Sequence, residues 1–398
     1  MGQQTSRPAF DCLLTKTHVL HALVQQDGRH NDIPTALATL LFLEGTPEMF
    51  QEIYEAKKDL FSTWNPSPGA IADEDTKTRL LGDIRFQRSF MTYFSMENGR
   101  FGGNSKVLAI AQLFTRTKPL VFGLFSGLGL PLVFLSDGIE LRSSVMVVES
   151  LTVAAVDWTD PIFEILTHPQ LARPASDLLS PEQIIRRLSY DGRFSGIMKS
   201  GPGYHGVINI FSNPNAKAAV VEYIQQLDCR NLATLLPQLA ALSVQLLCAT
   251  HKPNSPAFDF YLSQLLITVN SARVLLEDLE EGTHRVIVAR GVWLLFILAY
   301  VTQLRPVMDT SLLFSTEHPA EDGGWTVIYN IFCEEGISDG RFADTQYLRV
   351  LRSLRELDKA YGSVHGNLYT QAAWKLLSQW ESWTGLGADR EATLNIRL

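Results

Sequence analysis

Thr35-Ala36-Leu37-Ala38-Thr39-Leu40-Leu41-Phe42-Leu43-Glu44 sets apolar side chains at 36, 37, 40, 41 and 43, the spacing of one face of an α-helix. Thr46-Pro47-Glu48 then opens a second helix, with Thr46 as N-cap and Pro47 at the first helical position, running to about Phe61. Outward from this pair the helical period dominates. It predicts a long amphipathic helix over Asp75–Met96 and further helices over Ser105–Phe114 (N-cap Asn104) and Ser143–Val156. The Asn213-Pro214-Asn215 turn launches Ala216–Leu227, and Leu232–Leu247, Asp259–Leu279, Arg285–Leu304, Gln346–Tyr361 and Tyr369–Trp383 complete the set. Alternating runs are scarce, Trp325–Phe332 and Gly206–Phe211 being the best candidates for short strands. No repeat and no long polar linker divides the chain. The expectation is a mainly α protein, with a flexible N-terminus over 1–14 and one large helical domain over 15–398.

The 398 residues are 46% hydrophobic and 19% charged, which excludes a disordered or low-complexity scaffold. With 34 Lys+Arg against 42 Asp+Glu the net charge is −8, so no basic surface suggests nucleic acid, and a small molecule is the expected partner. Cys12, Cys229, Cys248 and Cys333 are scattered without metal or disulfide spacing. No signal peptide is evident, which points to a reducing, cytoplasmic setting. The most apolar runs, Pro119–Leu135 and Gly291–Leu304, are shorter than the ~20 residues a bilayer requires and read as core. Met1-Gly2-Gln3-Gln4-Thr5-Ser6 fits the N-myristoylation pattern, which is short and common by chance.

Cofactor motifs are weak. Gly201-Pro202-Gly203-Tyr204-His205-Gly206 has the letters of a dinucleotide fingerprint, but Val207–Phe211 reads as a strand where a helix is required. No phosphate loop and no G-x-S-x-G elbow is found. His30-Asn31-Asp32 matches two legs of an iron triad, with His168 or His205 as third ligands. Such sites usually sit on barrel strands, whereas His30 precedes a helix. His18 and His21, three apart, read as an exposed helix face, and His205 as a mobile surface histidine or the edge of a site.

Four stretches together resemble the questin-oxidase-like family of fungal natural-product enzymes. His30-Asn31-Asp32-Ile33 with Leu43-Glu44-Gly45-Thr46-Pro47-Glu48 is similar to its HNH-I-x-H-x-L…L-G-A-T-P-E opening. Ser126-Gly127-Leu128-Gly129-Leu130-Pro131-Leu132-Val133-Phe134-Leu135-Ser136-Asp137-Gly138-Ile139-Glu140 resembles G-G-L-x-H-P-L-I-H-L-G-Y-G-I-E, and Glu149-Ser150-Leu151 follows where the family has E-A-L. Phe258-Asp259-Phe260-Tyr261-Leu262-Ser263-Gln264 through Asn270 is similar to F-D-F-F-L-M-H-L-x-T-S-x-H, continuing to Tyr300…Arg305-Pro306. Phe342-Ala343-Asp344-Thr345-Gln346-Tyr347-Leu348-Arg349 resembles F-D-D-A-H-x-x-K. The resemblance implies a helical core around a deep hydrophobic cavity and enzymes that oxidise aromatic polyketides, by Baeyer–Villiger-type insertion or ring cleavage. It also implies a metal-ligand set made of the family's histidines and a carbamylated lysine.

The departures carry as much information. Leu130, Phe134, Gln264, Asn270 and Gln346 stand where the family has histidines, and Arg349 where it has lysine; of these histidines only His30 is kept. Leucine and phenylalanine offer no lone pair, and arginine stays protonated, so neither a bound metal nor another cofactor is expected. Leu130, Phe134, Tyr261, Gln264 and Asn270 are expected to line a site for an apolar polyketide or terpenoid. His30, Asp137, Gln346 and Arg349 are expected to act on it, with Asp137 pairing with Arg349 or serving as a base. This favours redox-neutral cyclisation (pericyclic ring closure included), isomerisation or dehydration, through orientation and carbonyl stabilisation. The alternatives are an NADPH- and oxygen-dependent Baeyer–Villiger-type oxidoreductase and a non-catalytic intermediate-binding protein.

Overall fold

A computed structural model describes residues 2–25, 28–173, 175–280, 282–314 and 324–387. Its helices in chain order are α1 (Gly2–Leu20), α2 (Ile33–Phe42), α3 (Pro47–Lys57), α4 (Glu74–Leu80), α5 (Gln87–Arg100), α6 (Ser105–Leu113), α7 (Leu130–Glu140) and α8 (Ser144–Val156). They continue with α9 (Asp160–Leu166), α10 (Pro181–Ser189), α11 (Val207–Ser212), α12 (Pro214–Gln225), α13 (Leu232–Cys248) and α14 (Phe260–Glu277). The last are α15 (Thr283–Thr302), α16 (Gly324–Glu335), α17 (Gly340–Ala343), α18 (Thr345–His365) and α19 (Leu368–Gln379). Two short parallel strands, β1 (Phe258–Asp259) and β2 (Trp383–Thr384), pair Phe258 with Trp383 and Asp259 with Thr384. The mainly helical class is as the sequence indicates. Within it the described residues form two compact units, 2–164 with 271–288, and 165–270 with 289–387.

The first unit is centred on α8, whose residues Met146 to Val156 are all buried. Its β-branched content (Val147, Val148, Thr152, Val153, Val156) gives weak helix propensity, so burial rather than local preference holds it helical. Ser143 caps it by accepting from the Met146 N–H. Two glycines allow neighbours to lie flush on α8. A Cβ on Gly123, in the turn Leu120–Phe125, would stand 2.0 Å from the Ala154 carbonyl oxygen, and one on Gly138 of α7 would stand 2.9 Å from the Val147 nitrogen.

The second unit holds the α18–α19 hairpin, which turns at Gly366 with φ +61°. Asp344 caps α18 by accepting from the Tyr347 N–H, as Asn213 caps α12 through Asn215 and Ala216. Trp293 is fully buried and donates its indole N–H to the Tyr223 carbonyl at 3.1 Å. Helix α15 is long and apolar enough to cross a bilayer, but 78% of its apolar window is buried inside the protein.

Several expectations are corrected. The segment expected to be flexible is helical from Gly2, because Phe10, Leu13, Leu14 and Thr17 fall on one face and bury, and Ser6 Oγ donates to the Gly45 carbonyl at 2.7 Å. The single helix expected over 75–96 breaks into α4 and α5 at Gly82, where φ is +84° and the N–H turns away to the Ala155 carbonyl. Both expected strands are helices. Val207 and Ile210 of α11, and Ile328 and Phe332 of α16, bury at helical spacing, which outweighs their alternating, β-branched appearance. Gly201–Gly206 thus leads into a helix rather than the expected strand; among the described residues, however, no strand precedes it as a dinucleotide site requires. The helix expected to reach Trp383 stops at Gln379, and Trp383 joins β2 instead.

Candidate active site

The residues singled out in the sequence divide between the two units, and each grouping is built separately. In the first unit, Leu130 opens α7 half-buried, with Phe134 and Asp137 following at i+4 and i+7, both buried. The stretch before α7 is tightly wound: Gly127, Leu128 and Gly129 all have positive φ (+53°, +53° and +81°). Left-handed backbone is costly for leucine, so surrounding packing must hold Leu128 there. Beside this turn lies His30, fixed by the antiparallel bridge of its own backbone to Val24. Its Nε2 is 2.5 Å from Asp157 Oδ2, and a Cβ on Gly127 would be 3.4 Å from its Cε1. With the carboxylate accepting, Nε2 carries the proton, and Asp157 thereby sets the tautomer and orientation of the ring. Both side chains keep about one-sixth of their surface in solvent (16% and 15%), so the pair is reachable. Asp157, at the C-cap of α8, has no signature in the sequence; only the fold brings it within reach.

The second unit gathers amides. Gln346, in the first turn of α18, donates through Nε2 to Ser263 Oγ at 2.8 Å and to Gln264 Oε1 at 3.2 Å on α14. Gln264 and Gln346 are 6% and 5% exposed, and Ser263 is fully buried. Gln264 Nε2 is enclosed and meets no acceptor among the described residues. Two positions chosen from the sequence thus do meet, with Ser263 as the partner the sequence did not reveal. Arg349 lies one turn beyond Gln346 on α18, and Asn270 is further along α14; both are buried. The Tyr261 ring is buried and packs on Tyr204 of the glycine-rich loop, with centroids 6.1 Å apart. Tyr204 has no motif of its own in the sequence, and its neighbour His205 is exposed.

Below this grouping, Asp259 accepts from the Tyr261 and Leu262 N–H groups at 2.9 Å and so caps α14. Gln303, oriented so that its amide nitrogen faces oxygen, donates to Asp259 Oδ2 and the Gly385 carbonyl. Burial outweighs those bonds and pushes the Asp259 carboxyl up to about 7.

Two histidines expected on an exposed face are not there. His21 is buried, 3.4 Å from both the Phe61 carbonyl and the Tyr54 hydroxyl, and burial lowers its pKa. His18 reaches inward to Glu149. His168 and His205, offered as partners for His30, are exposed in the other unit.

A pattern for the Questin oxidase-like family matches residues 29–354, and the chain belongs to that family. It is also similar to a Baeyer-Villiger monooxygenase from Cryptosporiopsis sp., with 21% identity over 389 residues, covering 91% of this chain and 82% of the relative. The metal set implied by the resemblance does not fit the residues present. Leu130 and Phe134 are hydrocarbon, Gln264 Oε1 already accepts from Gln346, and Gln346 faces that grouping through its donor nitrogen. No group of three or more His, Cys, Asp or Glu side chains suited to a metal occurs among the described residues.

Proposed function

We propose that this protein is a natural-product tailoring enzyme that acts without net oxidation on an apolar polyketide or terpenoid intermediate, promoting cyclisation, isomerisation or dehydration. The observation that carries this reading is the enclosed Gln264 amide, whose nitrogen has no acceptor among the described residues, at a position where the resemblance implies a histidine. A buried donor of this kind costs free energy unless something accepts from it. A ligand carbonyl is the matching group. Gln346 holds the Gln264 oxygen and so aims the nitrogen, while Arg349 adds a fixed cation to the same helix. Hydrogen bonding from Gln264 would draw electron density to the carbonyl oxygen and make a conjugated enone or quinone more reactive. One such donor is worth roughly a hundredfold or more in rate where charge develops. Tyr261 and Tyr204 offer aromatic surface for holding an apolar skeleton in a reactive shape.

The test uses purified protein and the intermediate that accumulates in a strain from which the gene has been deleted. Incubated without oxygen and with a chelator, the protein should convert that intermediate to an isomer or a product lighter by one water. The similarity to a Baeyer-Villiger monooxygenase favours a second reading, oxidation with NADPH and oxygen. Gain of one oxygen atom with substrate-dependent NADPH loss would establish it and end the first. Binding without any conversion would mark a carrier.

A further inference from the structure

Glu149 is completely buried in the middle of α8. Its Oε1 lies 3.0 Å from His18 Nδ1 in the last turn of α1, and its Oε2 is enclosed with no hydrogen-bond partner among the described residues. Neighbouring residues on α8 show why it faces α1: Ser150 donates to the Pro131 carbonyl of α7, and Ala154 lies under the Leu120–Phe125 turn. Among the described residues His18 is the titratable side chain that acts on Glu149. Desolvation therefore dominates and pushes the carboxyl above the ordinary carboxylate range. The His18 side chain keeps 23% of its surface in solvent, and its carbonyl is anchored by the Trp64 indole N–H at 3.0 Å. The pair joins solvent at one end to an unpartnered carboxyl oxygen in the core at the other.

We propose that His18 and Glu149 form a proton relay that delivers a solvent proton to Oε2, making it an internal acid site for a carbonyl or leaving hydroxyl oxygen of a neutral ligand. In the resting state His18 Nδ1–H donates to Oε1, and Oε2 carries the acid proton. As a solvent proton adds to His18 Nε2, the Nδ1 proton passes to Oε1 and the Oε2 proton leaves to the ligand oxygen. One proton enters, one departs, and the charge of the pair is unchanged; rotation of the carboxyl and imidazole resets it. The relay stands whichever reading of the chemistry holds, because its test needs no turnover.

The test is infrared spectroscopy of the whole protein at neutral pH, following the carbonyl band of a protonated carboxyl and its shift on transfer into D2O. The difference spectrum of wild type minus Glu149→Gln, in which the Asp259 carboxyl cancels, should show the band with rapid deuterium exchange. His18→Leu and the smaller change His18→Asn should keep the band but slow its exchange about tenfold or more, to the rate of local opening. An unchanged exchange rate in both correctly folded His18 variants would overturn the relay. So would a spectrum of the wild type in which Glu149 is ionised.

Discussion

Gln264 is the residue on which the proposed chemistry turns. Gln264→Leu should lower kcat at least tenfold and cost about 1 kcal/mol of stability, because it removes the enclosed donor together with an acceptor of the Gln346 amide, which keeps Ser263. Steady-state kinetics beside thermal melts would separate the two; a large drop in melting temperature with unchanged kcat would mean the amide is only structural. Asp157→Asn tests the other grouping. It should leave the fold within about 1.5 kcal/mol of wild type and reduce activity, because an amide no longer dictates which His30 nitrogen holds the proton. At this scale His30, Gln264 and Gln346 stand out in the sequence because each occupies a position in a recognisable motif, and their roles are part of the proposal. Asp157, Ser263 and Tyr204 were not legible, because their roles come from contacts between segments far apart in the chain.

Among the elements, the packing on α8 makes a sharp comparison. Gly123→Ala forces a methyl group against a backbone oxygen that cannot move aside, and a loss of about 3 kcal/mol or more is expected. Gly99→Ala, in the last turn of α5 with open space around it, should instead stabilise by about 0.5–1 kcal/mol. Denaturant titration of both variants checks the pair of signs. The cap of α14 adds a pH dependence. The Asp259 carboxyl sits at about 7 in the fold against 3.8 for an ordinary aspartate, so the folded state holds its proton more tightly. Its favourable contribution is complete below about pH 4 and is lost as the pH rises through 7. Asp259→Asn keeps a good capping side chain and should flatten that window, with melting temperatures nearest wild type at pH 4 and above it at pH 8. Most helices of this fold were legible from apolar period and capping residues. The break at Gly82 and the two helices that read as strands were not, since a positive φ and a choice of buried face depend on neighbours.

For the whole molecule, the residues at the family's ligand positions predict that prolonged chelation leaves both the helical circular dichroism and the conversion intact. Metal analysis of protein purified without chelators would check the same point, and near-stoichiometric iron lost together with activity would refute it. The sequence by itself determined the helical class and the family, because hydrophobic period and motif order are written locally along the chain. It also has leucine, phenylalanine and amides where the resemblance implies histidines. Only the tertiary structure decided that the described residues form two compact units, that residues 2–14 belong to a helix, and that Gln264 keeps a donor unanswered among the described residues while Glu149 leans on His18. Those outcomes depend on which side chains exclude water from one another, and that is settled by packing between distant segments rather than by any local pattern.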